Sequence, residues 1–264
     1  MKLTVKLMAA ALVSLVFFYT ACKKVGDAPV PNASPKDVAG LIGKDFANAL
    51  AGNYGGVSLN DGVKPPAVLA SVKPKVLNSF NSLCGFTIDT TTKYVFTQGD
   101  SIKSVVSGRF KFTYTCSSTV PDGYKVFTDF INAGKAPGYA FIYAITQSYK
   151  VQALDLSYSK VSMDGKLKSF GYFRNGSGPF VDTTHLANTY YQHQNYVMHN
   201  LVIDVHNNLD IISGSATFTT RGRNQFGKWE YEGTIEYIGN HTAIITFDGH
   251  SYSVNLLTGV VTPV

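Results

Sequence analysis

The strongest constraint in this chain is a strand register that can be followed turn by turn through its last seventy residues. Asp248-Gly249 reads as a two-residue reversal between antiparallel strands, because both residues tolerate the positive φ such a turn requires. That turn sets Phe247 opposite His250, Ile245 opposite Tyr252 and Ala243 opposite Val254. A three-residue turn at Gly239-Asn240-His241 then sets Tyr237 opposite Ala243 and Ile235 opposite Ile245. A four-residue loop over Asn224–Gly227 sets Arg221 against Glu230 and Phe218 against Gly233, and a turn at Asn207-Asn208 puts Ile203 opposite Ile212. Slipping one strand by one residue would send its whole apolar set to the wrong face. All four turns keep apolar with apolar, as an antiparallel meander with one buried face requires. Gly233 falls between Phe218 and Phe247, whose rings can cover its bare backbone.

Upstream the same alternation recurs. Val106, Phe110, Phe112 and Tyr114 face one way, and Ser107, Arg109, Lys111 and Thr113 the other. Asp122-Gly123 and Asp164-Gly165 carry hairpin-turn signals, and Tyr139 to Leu154 suits one long strand or two broken ones. One helix stands apart. Ser34-Pro35 is an N-cap and first-turn pair, and Val38, Leu41, Ile42, Phe46 and Ala49 recur at helical spacing before Gly52, predicting an amphipathic helix over 35–51. Residues 57–82 are ambiguous, with Pro65-Pro66 breaking the chain and a short helix near 73–82 as one reading. The fold class expected is mainly β: an up-and-down antiparallel meander, curved or forming a partly open barrel, with one N-terminal helix. At 264 residues the chain is long enough for one sizeable core, and residues 35–264 are expected to form a single domain.

The amino-terminal end carries a targeting pattern. Lys2 and Lys6 precede an uncharged apolar run from Leu7 to Ala21, too short to cross a bilayer and shaped like a secretory signal. Tyr19-Thr20-Ala21-Cys22 resembles a bacterial lipobox, with Tyr19 where a leucine is usual, and Cys22-Lys23-Lys24 is similar to the start of mature Bacteroidota lipoproteins. This resemblance implies a signal peptide over 1–21, lipidation of Cys22 and a proline-containing tether over 22–34. Ordinary cleavage near Ala21 is the rival. Several acyl chains on one cysteine would hold the protein at a membrane, since each buried CH₂ contributes about 0.8 kcal/mol. Surface-exported lipoproteins of that phylum carry acids after the cysteine. Here Lys23, Lys24, Val25 and Gly26 follow, with Asp27 alone, so a periplasm-facing outer-membrane anchor is expected.

With Cys22 lipidated, Cys84 and Cys116 remain as a pair in an oxidising compartment, which favours a disulfide over two buried thiols or metal ligands. Loss of residues 1–21 removes two lysines and no acid, so the mature charge is +4, too mild and evenly spread to point to nucleic acid.

Sequence signatures of catalysis are missing: there is no H-E-x-x-H, G-x-S-x-G or Walker loop, and Gly176-Ser177-Gly178 reads as a turn. The three glutamates, Glu230, Glu232 and Glu236, lie on one face of one strand. Paired carboxylates at such spacing can do acid–base work, but a solvated strand face looks the same. His185, His193, His199 and His206 cluster in sequence, yet His199 shares parity with Val197, Leu201 and Ile203 while His206 sits beside Asp204. No shared metal is therefore expected, and His199 is expected to face the core. No cofactor is implied. Tyr139, Phe141, Tyr143, Tyr190, Tyr191 and Tyr196 are the candidates for lining a ligand site, since aromatics on a concave sheet can stack sugars or line a groove for acyl chains.

Two stretches, Gly233–Tyr237 through Phe247–Tyr252 and Cys84–Asp89, look like parts of uncharacterised β-rich lipoproteins from Bacteroidota, a resemblance that brings no active site with it. A helix over a curved antiparallel sheet is also similar in outline to periplasmic lipoprotein carriers, at the level of fold alone. The function expected is a membrane-anchored envelope lipoprotein with a non-catalytic structural or interaction role. The alternatives are a periplasmic carrier or binder of apolar or glycan ligands in the concave sheet, and a secreted hydrolase.

Overall fold

The computed structural model describes residues 31–54, 57–59, 84–98, 102–118, 121–175, 189–225 and 227–264. The signal peptide, most of the tether, the reading of a helix near 73–82, His185 and Gly176–Gly178 lie outside the described residues. The compact unit is Asn32–Val264.

Helix α1 spans Pro35–Leu50. Eleven strands follow: β1 (Thr87–Gln98), β2 (Ile102–Cys116), β3 (Pro121–Ala136), β4 (Tyr139–Ala153), β5 (Lys160–Asn175), β6 (Thr189–Asp204), β7 (Asp210–Asn224), β8 (Gly227–Gly239), β9 (Thr242–Phe247), β10 (His250–Asn255) and β11 (Val261–Pro263). They form one antiparallel sheet in sequence order, a meander with β1 and β11 at its two ends and no closure into a barrel. The alternation expected on β2 is present: Phe110, Phe112 and Tyr114 are buried, and Arg109 and Lys111 are exposed.

Three of the four C-terminal turns have the expected register. Ile245 opposes Tyr252, Tyr237 opposes Ala243, and Arg221 and Phe218 oppose Glu230 and Gly233. A Cβ on Gly233 would collide with the Thr246 carbonyl oxygen and lie 2.8 Å from Cβ of Phe247, so only glycine fits between the two rings. The fourth turn is displaced by one residue. Ile203 faces Ile211, not Ile212, because the reversal runs over 205–209. The Asp204 carboxylate accepts from the backbone N–H groups of His206 and Asn207, starting the turn early, and Asn208 and Leu209 both take positive φ.

The two upstream Asp-Gly pairs are not hairpin turns. Gly123 lies within β3 opposite Thr115 and Gln152. Asp164-Gly165 lies inside β5, which stays in unbroken register with β4, and Gly165 takes φ 146° where β6 opposite carries one extra residue between Met198 and Leu201. The Asp164 carboxylate accepts from the N–H of Asn200, itself at φ 49° in an irregularity of β6. Here the flexible pair faces a bulge on the neighbouring strand and does not end its own. The β6 irregularity also corrects the expectation for His199. Tyr196 and Met198 point inward, the extra residue resets the parity, and Leu201 and Ile203 point inward again, leaving His199 exposed. Tyr139 to Ala153 is one continuous strand.

The helix starts at Pro35 as expected and closes at Ala51 and Gly52, the latter at φ 76°. Ser34 makes no side-chain cap. Val38, Ala39, Ile42, Phe46, Ala49 and Leu50 form its buried stripe. Along its length α1 touches Gln147 of β4, Ser169 of β5, Tyr196 of β6, Tyr237 of β8 and Val254 of β10. On a flat sheet β4 and β10 would be six strand spacings, about 29 Å, apart. The helix residues that reach them, Gly43 and Ala49, are only about 9 Å apart along the axis. The sheet must therefore curl around α1. Close approach is allowed by glycine: a Cβ on Gly40 would lie 2.8 Å from the Gly259 carbonyl oxygen, and one on Gly43 2.7 Å from a Val254 methyl group.

Ahead of the helix, Asn32 bridges Lys228 in parallel and the Ala33 N–H donates to the Lys228 carbonyl at 2.9 Å. At the other end of the strands, Cys84 and Cys116 form the expected disulfide across a separation of 32 residues. Replacing both cysteines with serine is expected to lower stability by about 3–4 kcal/mol, the chain-entropy value for such a loop, as measured by denaturant unfolding of the oxidised protein and the variant.

Candidate functional site

Three places concentrate polar or aromatic side chains: the contact between α1 and the sheet, the inner face of β4–β6 near the start of β4, and the outer face of β6–β8.

Asp45 lies within the apolar stripe of α1, one turn from Ile42 and Ala49, and is 3% exposed. Its Oδ2 accepts from the Ser169 hydroxyl at 2.8 Å and the Tyr196 hydroxyl at 3.1 Å, and its Oδ1 from the Gln192 amide at 3.3 Å. The Tyr196 hydroxyl also lies 3.1 Å from the Ile42 carbonyl. Burial pushes the Asp45 carboxyl up to about 6, against the hydrogen bonds from Ser169, Tyr196 and Tyr54 that favour the ionised form. Beyond it, the buried Gln147 accepts from the Val57 N–H and the Thr128 hydroxyl, both at 2.8 Å, and donates to the carbonyls of Val57 and Ala49. Phe46 fills the space between, edge-on to Tyr196 at 5.0 Å and tilted against Tyr237 at 5.4 Å. Among the described residues, the α1 side chains facing the strands it touches are buried. Sequence reading passed over this network, although an aspartate at a stripe position of an amphipathic helix is a signal that it has partners on the sheet.

The six aromatic candidates divide. Tyr139, Phe141, Tyr143 and Tyr190 share the inner face, where Tyr143 stacks on Tyr54 at 4.5 Å and meets Phe173 edge-on at 4.9 Å. Tyr139 is exposed and the other three are half-buried. Tyr196 is a core residue bound to Asp45. Tyr191 stands on the opposite face, beside His193.

On that outer face three adjoining hollows of about 650, 370 and 510 Å³ merge into one trough along β7. Its floor is low because β7 turns the small Thr217 and Thr219 outward, and Arg221 stands at one end. One wall is His193, Asn195 and Val197 of β6. The other is Lys228, Glu230, Glu232 and Thr234 of β8, with Glu236 further along the same face. Arg221 is paired in register with both His193 and Glu230, and the Asn195 amide donates to the Thr219 hydroxyl at 2.9 Å. Partial burial, and then the Arg221 charge, lower the pKa of His193. His199 and His206 are exposed and away from the trough, and among the described residues no group of three or more His, Cys, Asp and Glu is arranged to hold a metal.

Asp45 generates a pH test. Its folded-state pKa, about 6, lies above the ordinary 3.8, so the folded protein binds the extra proton. The Asp45 contribution is therefore most favourable below pH 3.8 and is lost as pH rises through about 6. Asp45→Asn is expected to remove that dependence. The stability difference between variant and wild type should shift by about 3 kcal/mol in favour of the variant between pH 3.5 and pH 7.5, read from urea unfolding at both pH values.

Comparison with protein-family models, with curated proteins and with solved structures finds no match to this chain.

Proposed function

We propose that this chain is a lipid-anchored protein of the cell envelope, held at the membrane through Cys22 and facing the periplasm, with a non-catalytic interaction role. The observation that carries the reading is the accessible relief on the outer face of β6–β8, where a partner can be met, while among the described residues the stripe of α1 that faces the sheet is buried. The use made of the acids supports the non-catalytic part. Asp45 holds the helix, Asp89 pairs with Arg109, and Asp155, Asp204 and Asp210 bind backbone N–H groups of turns. Among the described residues no helix is long and apolar enough to cross a membrane, so attachment of this body would fall to the acylated cysteine.

A second reading, a binder of a small apolar ligand, is favoured by the half-buried inner-face aromatics Phe141, Tyr143, Phe173 and Tyr190. Native mass spectrometry of the full chain released from detergent distinguishes the two: a co-purifying lipid-sized mass supports the binder, and its absence the first reading. For the anchor itself, Cys22→Ser is expected to move the protein from the membrane pellet to the soluble fraction and to abolish incorporation of labelled palmitate. A variant that stays in the pellet unlabelled would overturn the lipid anchor.

A further inference from the structure

We propose that the trough over β7 is a saccharide-binding site that takes an extended, neutral, hydroxyl-rich chain. This names the partner class of the interaction role above and rests on that reading. The floor and walls supply both halves of hydroxyl recognition. The Glu230 and Glu232 carboxylates offer acceptors for sugar hydroxyl protons, while the Arg221 guanidinium is a pure donor to sugar oxygens. Asn195 offers both, and its amide is already oriented by Thr219. At the Arg221 end Tyr191 and His193 line the trough with ring centroids 6.3 Å apart and planes 77° apart, so a single ring face is offered to the apolar face of a pyranose.

The same residues argue against other occupants. β7 is paired on both sides, so its backbone has no free ladder to offer an extended peptide. An acyl chain needs apolar walls, and here only Val197 among the outward side chains is aliphatic. The two carboxylates are balanced by Arg221 and Lys228, so the trough has no net positive charge with which to hold a phosphodiester or sulfated chain. A bare cation would meet Arg221, which faces Glu230 in the same row. The length fits a chain of several rings: Tyr191 to Val197 spans six strand residues, about 20 Å.

The test is isothermal titration of the purified full chain in detergent with chitotetraose, cellotetraose and maltotetraose. Binding of at least one is expected, about tenfold weaker in Glu232→Gln and in Tyr191→Ala, and unchanged in Lys111→Ala on the outer face of β2. The targets are surface or half-buried positions, and circular dichroism confirms that each variant folds. If none of the three binds at millimolar concentration, or if the variants bind as wild type does, the saccharide site is overturned while the lipid anchor stands on its own labelling result. If a tetrasaccharide binds and is then cleaved, the site stands and the non-catalytic reading falls.

Discussion

Seating one helix inside a curled sheet is the constraint from which the rest of this body follows. A sheet of eleven strands has two faces to satisfy, and only one of them meets α1. The contact is made by apolar packing of Phe46 against Tyr196 and Tyr237 and by two buried polar clasps, Asp45 and Gln147. Apolar packing alone would tolerate sliding and rotation. A carboxylate that must meet Ser169, Gln192 and Tyr196 together does not, so the clasps set the position of the helix along and around its axis. The cost is a desolvated charge, which appears as the raised pKa of Asp45.

Much of the architecture was legible because strands have a period of two. Wherever a turn had a recognisable chemistry and the flanking residues alternated without interruption, pairing could be read to the residue, as at Asp248-Gly249 and Gly239–His241. Reading failed where the period itself was broken. The bulge around Asn200 of β6, opposite Asp164-Gly165, inserts a residue, reverses the inside–outside sense of that strand, and turned a histidine expected in the core out to solvent. No local pattern in β6 marks such an insertion, and the Asp-Gly pair opposite it suits the middle of a strand as well as a reversal at its end. The Asn207-Asn208 turn slipped for a related reason: Asp204 captures the backbone one position earlier than the asparagine pair suggests.

The sites were less legible than the fold. Aromatic residues were singled out by type, and type does not give the face. Tyr190 and Tyr191, adjacent in sequence, lie on opposite sides of the sheet, and Tyr196 is wholly enclosed. The glutamates of β8 were correctly placed on one solvated face, but the feature that gives them a setting is the run of threonines on β7. Their short side chains lower the floor between two taller rows. Relief of this kind belongs to three neighbouring strands at once and cannot be seen in any one of them.

The clip formed by Asn32 and Ala33 on Lys228 gives the body a mechanical front door. Any tension arriving along the chain from the amino-terminal side is loaded first on a single parallel bridge at the start of β8, which opens one bond at a time. Behind it the load passes to α1, whose buried stripe and polar clasps must yield together. The domain is thus built with a weak fuse in series with a strong one: small pulls lengthen the leash by a few residues, and only a large pull uncovers the core.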